Sequence, residues 1–268
     1  MTVFTVLPLV RTAHPVPALA VTVLTLLLAA SMGVSTYTAV VLFVAVLSGQ
    51  LVVGWTNDLC DRERDRRVGR CDKPLATGQV SVGVVRSAIL AAGVVCVVAS
   101  LMCGLGAGLV HLTLGVGAAL AYNVTLKSTA LSWLPYSLAF GCLPAVVSLA
   151  RDPAALPPLW MVVVGALLGF AAHLLNAMPD LADDAATGVR GFPHRLPPSL
   201  VPSVAALALV LASVVSVFGR GTPPTAGRWI LLAAVLVLAV AATRTTGKGP
   251  FYAAIAIAGV NVAMLLIG

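Results

Sequence analysis

Charge is the scarcest property of this sequence. Asp, Glu, Lys and Arg make up 9% of its 268 residues, where an ordinary soluble domain carries about 25%. Too little charge is present to cover a soluble surface, so a soluble globular domain is excluded. No two cysteines have C-x-x-C spacing, so neither a zinc site nor a disulfide framework is supported. Of the five cysteines, Cys96, Cys103 and Cys142 fall inside apolar runs and read as small buried hydrophobes. Strand-like alternation of polar and apolar residues is missing, which excludes an outer-membrane barrel. No linker is long enough to separate soluble domains.

What fills the chain is apolar: 60% of residues are hydrophobic and the mean hydropathy is +1.05. Runs of about 20 apolar residues recur, the length that crosses a bilayer as a helix. The expected fold is an all-α integral membrane bundle with about nine transmembrane helices around a central cavity. The spans fall near 13–32, 36–57, 82–103, 105–124, 130–150, 157–178, 199–218, 227–243 and 250–267. They form one domain over 1–268, read as two pseudo-repeated halves (13–124 and 130–243) plus a last helix. Arg11 and His14 precede the first run as in a signal peptide, but Val16 to Met32 is long for a signal core and reads as a membrane helix.

The net charge of +7 would suggest a nucleic-acid partner in a soluble protein. In a membrane chain it has a simpler origin, and no nucleic acid is expected. Counted by connector, thirteen of the sixteen basic residues lie on one side and only Arg151, Arg220 and Arg228 on the other. The positive-inside rule puts that richer side, with the N-terminus, in the cytoplasm. The plasma (inner) membrane is the expected location.

The acidic residues are more informative. Eight of nine lie in two islands, Asn57 to Leu75 and Asn176 to Arg195, with Asp152 alone elsewhere. On a helix Asp58, Asp61 and Asp65 are at i, i+3 and i+7 and share one face. In the second island Asp180 and Asp184 are at i and i+4, with Asp183 beside them and His173 and Asn176 on the same face further into the membrane. Carboxylates packed together need cations, and two such faces meeting across a cavity make an oxygen-rich site for a hard cation. Lys73, Lys127 and Arg190 stand at cytoplasmic span ends, where they can hold phosphate oxygens. Metal and cations together are what a departing diphosphate needs. The arginines from Arg62 to Arg70 read instead as topology anchors and headgroup contacts. His111, mid-span, reads as a packed or hydrogen-bonded histidine.

These residues resemble a known family. Asn57-Asp58-x-x-Asp61-x-x-x-Asp65 is similar to the N-D-x-x-D-x-x-x-D motif of the UbiA superfamily of intramembrane prenyltransferases. Asp72-Lys73-Pro74-Leu75-x-x-Gly78 resembles its R-P-L-x-x-G segment, with Lys73 where arginine is usual; the charge is kept and the bidentate fork lost. Asp180-Leu-Ala-Asp183-Asp184-Ala-Ala-Thr-Gly188-Val-Arg190 resembles the second motif, and Tyr122-Asn123 with Lys127 resembles the segment that ends the fourth helix. The resemblance implies Mg²⁺ held by Asn57, Asp58, Asp61, Asp65, Asp180 and Asp184. It implies a prenyl diphosphate donor neutralised by Lys73, Lys127 and Arg190, with Asp61, Asp184 and Tyr122 as catalytic residues. It also implies transfer of the isoprenyl group, within the lipid bilayer, to a lipophilic or aromatic acceptor. A terpene cyclase of the same superfamily, acting without an acceptor, is the alternative.

Overall fold

The computed structural model describes residues 3–244 and 249–266, and the side chain of Asp183 is not among those described. Lys248, counted above for topology, lies outside the described residues. All regular secondary structure among the described residues is helical, without strands. In chain order the helices are α1 (Val3–Thr12), α2 (Pro15–Ser31), α3 (Thr36–Arg67), α4 (Val82–Met102), α5 (Leu105–Val124), α6 (Trp133–Leu149), α7 (Leu159–Ala177), α8 (Leu181–Ala186), α9 (Val201–Phe218), α10 (Ala226–Arg244) and α11 (Gly249–Leu266). Neighbours in sequence pack on one another, α7 also packs on α9, and α11 returns to α2, which closes the bundle.

The expected crossings differ from the helices in three places. By length and apolarity five helices qualify as membrane spans, α3, α4, α5, α7 and α9, and a sixth if the bent pair α1–α2 is one span. α6 and the Ala226–Ala242 part of α10 are apolar but shorter. The first run begins later than expected because the chain bends by 65° between α1 and α2. His14 sits at the bend with φ 53°, and Pro15, which has no N–H to satisfy, opens α2. The second run is longer than expected. α3 has 32 residues, about 48 Å at 1.5 Å per residue, against a hydrocarbon core of about 30 Å. It therefore carries the whole first acidic face beyond the apolar layer as continuous helix.

Burial follows side-chain chemistry. On α4, Leu90, Val94, Val98 and Met102 repeat every fourth residue and are all exposed, the stripe a lipid-facing helix presents. The interior is built from Leu42, Val46, Val146, Val147, Val164, Leu174 and Leu209, each nearly inaccessible. Cys96, Cys103 and Cys142 are buried free thiols, as expected, while Cys60 and Cys71 are exposed.

Candidate active site

One cavity of about 640 Å³ runs down the bundle, walled by α2, α3, α5, α6 and α7. Its polar end is made by the two acidic islands. α3 ends in a Schellman turn: Gly69 takes φ 71°, its N–H bonds Arg66 O at 3.2 Å, and Arg70 N–H bonds Asp65 O at 3.0 Å. The second island repeats the device. α7 passes through a tight turn at Met178–Asp180 into α8, Gly188 takes φ 84°, and Val189 N–H bonds Asp184 O at 2.8 Å. A side chain with a Cβ is strained at both glycines.

Asp61 and Asp65 are buried, at 6% and 3% exposure, and line the cavity with Asn57, Asp180 and Asp184. Guanidinium groups stand between the islands. Arg64 donates to Asp61 at 3.0 Å and lies 3.7 Å from Asp65 and 3.3 Å from Asp184. Arg70 donates to both Asp72 oxygens, at 2.8 and 2.9 Å, and to Asp180 at 3.0 Å. Those hydrogen bonds hold the Asp72 carboxyl down at about 2 and push Arg70 up. Lys127 donates to Asp61. Burial pulls the Lys127 ammonium down, and the nearby Asp184 charge opposes this. Burial likewise pushes the Asp184 carboxyl up against the charge of Arg64. Such a carboxylate needs a cation beside it to stay ionised.

Asp58 is oriented differently from its neighbours. It is buried, is absent from the cavity lining, and its Oδ1 accepts from Lys73 and His14, each at 2.7 Å. Asn57 donates to Asn123 at 3.2 Å, and Asn123 donates to Val53 O at 2.9 Å, which ties α3 to α5. Below this layer Tyr122 meets the Tyr136 ring edge-on at 5.1 Å and the His173 ring at 5.7 Å. Tyr136 accepts from Asn176 at 3.1 Å.

The donors facing the cavity are carboxylate and amide oxygens, a set suited to Mg²⁺. Among the described residues no three acidic, His or Cys side chains form a compact metal cluster by themselves. Asp61, Asp65 and Asp184 do surround one cation, the Arg64 guanidinium. The residues therefore fit a hard cation drawn to the same point.

Residues 18–249 match the profile described as the UbiA prenyltransferase family. The chain belongs to the UbiA prenyltransferase family. No curated protein sequence matches it. A UbiA homologue from Aeropyrum pernix K1 shares the fold at TM-score 0.74 with 17% identity, over 92% of this chain and 97% of that one. A UbiA homologue from Archaeoglobus fulgidus, bound to GPP and Mg²⁺, is similar at TM-score 0.70 with 15% identity, over 96% and 98%. A digeranylgeranylglyceryl phosphate synthase is similar at TM-score 0.70 with 17% identity, over 98% and 96%.

Within this UbiA-family chain the structure brings Asn57, Asp61, Asp65, Lys73, Tyr122, Lys127, Asp180 and Asp184 to one cavity. Arg190 is exposed and outside the lining, and His173 is buried behind it, bonded to Ser132 at 3.0 Å. Arg64 and Arg70, read from sequence as anchors, instead line the cavity and bridge the islands. A signal for Arg64 was present: it follows Asp61 by three residues and shares its face. Arg70 and His14 reach their partners over 110 and 44 residues, which no local pattern encodes.

Proposed function

We propose that this chain is a Mg²⁺-dependent intramembrane prenyltransferase that moves an isoprenyl group from a prenyl diphosphate to a lipophilic acceptor and releases diphosphate. The observation that carries the reading is the polarity gradient of the cavity: carboxylates and ammonium groups at one end, Tyr122, Tyr136, Phe140 and aliphatic side chains below. The likeness to a homologue bound to GPP and Mg²⁺ supports it.

In this reading Asn57, Asp61 and Asp65 from α3 and Asp180 and Asp184 from the second island hold Mg²⁺. Bound Mg²⁺ supplies the charge that stabilises diphosphate as it leaves. Asp58, a further ligand by the motif, fixes the position of Lys73 through its hydrogen bond. Lys73 and Lys127 donate to diphosphate oxygens, and Arg190 adds positive charge from the rim. When the bond between the allylic carbon and the diphosphate oxygen breaks, its electron pair leaves with the oxygen and the carbon becomes cationic. The Tyr122 ring stabilises that charge, and the apolar walls keep water from quenching it. The acceptor then bonds to the cationic carbon and gives up its proton to the released diphosphate. The acidic end faces the cytoplasm of the plasma (inner) membrane. α2 to α7 and α9 to α11 make nine crossings, each on an expected apolar run.

The test is incubation of the purified chain in nanodiscs with labelled geranyl, farnesyl and geranylgeranyl diphosphate and Mg²⁺, with and without phenolic acceptors. A prenylated product that requires the acceptor is expected. A cyclic product formed from the donor by itself would replace transfer with cyclisation, and absence of Mg²⁺-dependent donor binding would overturn the site.

A further inference from the structure

The deep end of the cavity holds a polar group that departure of diphosphate does not use. His111 opens the π-helical stretch His111–Gly117 inside α5, a distortion frequent at functional sites. It is 4% exposed and lines the cavity with Val46, Val116, Phe140 and Leu143, and with Gln50 as an uncharged polar neighbour on α3. Its tautomer is set by a neighbour. Ser100 Oγ donates to Cys96 O at 2.6 Å, which spends the only hydrogen of the hydroxyl. The same Oγ lies 2.8 Å from His111 Nδ1, so it accepts there and Nδ1 carries the proton. In an apolar surrounding the ring is neutral, and Nε2 is a bare lone pair. The ring has glycine on two sides: a Cβ at Gly115 would stand 3.2 Å from its Cδ2, and one at Gly49 would stand 3.4 Å from its Cε1.

An acceptor nitrogen in an apolar cavity is costly unless a donor meets it. Before substrates bind, water can donate to it; a prenyl chain has no O–H or N–H, so once the substrates displace that water the donor belongs to the acceptor. We propose that His111 Nε2 accepts a hydrogen bond from a hydroxyl of the acceptor substrate, which is therefore an elongated, uncharged phenol or alcohol. The length follows from position. His111 precedes Tyr122 by eleven residues on α5, roughly 15 Å along the axis, a little less than a pure α-helix would give because the π-helical turn is more compact. A molecule prenylated beside Tyr122 and anchored at His111 must span that distance. The absence of charge follows from the lining beside His111, where Val46, Gln50, Val116, Phe140 and Leu143 include no cation to pair with a carboxylate. The inference rests on the prenyl-transfer reading and assigns His111 as a specificity-determining residue for the acceptor.

The test uses the full chain in nanodiscs with isotope-labelled histidine and three probes: para-nonylphenol, its methyl ether, and para-hydroxybenzoate. The His111 resonance is identified among His14, His111, His173 and His194 by its loss in His111→Leu. Nonylphenol is expected to move the Nε2 signal and to bind His111→Leu at least tenfold more weakly, measured against empty nanodiscs. The methyl ether should bind wild type at least tenfold more weakly than the phenol and should not distinguish the variant. Hydroxybenzoate should leave the signal in place. Ser100→Ala keeps the ring but frees its proton to move to Nε2, and it should weaken phenol binding severalfold even if His111→Leu does not fold. Equal binding of phenol and ether, equal binding by wild type and variants, or no phenol binding overturns the proposal. Mg²⁺-dependent binding of geranyl diphosphate is measured in parallel and should be unchanged in His111→Leu. Its absence from wild type would count against the diphosphate site, independently of the phenol result.

Discussion

Arg64→Gln tests whether the guanidinium occupies the point where the islands collect a cation. Arg64 reaches Asp61, Asp65 and Asp184 within 3.7 Å, and its side chain is 26% exposed. A unit charge about 4 Å from a second one contributes about 4 kcal/mol at an effective dielectric of 20. Solvent screening of a partly exposed arginine reduces this to about 1–2 kcal/mol. Removing that competing charge should tighten Mg²⁺ binding roughly tenfold, read by calorimetric titration of the purified protein in nanodiscs. The same change leaves three carboxylates facing one another without their shared cation. In EDTA the variant should melt below wild type at a fixed scan rate, by about 2–4 °C per kcal/mol lost, and it should gain more than wild type when Mg²⁺ is added. Unchanged Mg²⁺ affinity together with unchanged melting in EDTA would refute the reasoning.

Asp61→Asn and Asp184→Asn should each cut turnover about a hundredfold or more while the protein still inserts; near-normal product formation in both would remove these residues from the metal site. Lys127→Ala removes an ammonium group from the cavity wall and should weaken donor binding roughly tenfold or more, the worth of a charge-assisted hydrogen bond. An unchanged donor KM would reject that role. Gly191→Ala would set a Cβ 2.5 Å from Lys127 O and 2.7 Å from Ser132 Oγ, so the loop that follows Arg190 cannot stay docked. A loss of about 1–3 kcal/mol in stability is expected, seen as a lower melting midpoint; a wild-type midpoint would show that the loop yields freely.

The first acidic face was legible because a helix repeats every 3.6 residues. Asp61 and Asp65 had to share a side, and they line the cavity together. The second island was legible through its motif, and Gly188 sits where a left-handed helix end requires it. Span ends were less legible. α6 starts at Trp133 and α2 at Pro15, because prolines and turn hydrogen bonds, which hydropathy ignores, decide where a helix can begin.

The sequence by itself determined that the chain is a membrane-embedded helical bundle, that its carboxylates gather in two places, and that the gathered residues suit a hard cation. Those properties are local, carried by composition, period and spacing. Only the tertiary structure decided which cation each carboxylate meets. Asp58 turns to Lys73 and His14, while Asp180 and Asp184 receive Arg70 and Arg64 from the other island. It also decided that Ser100 fixes the proton of His111. Such pairings depend on how α2, α3, α4, α5 and α7 are rotated against one another. A helical wheel gives the face of a residue and not the neighbour that face will find.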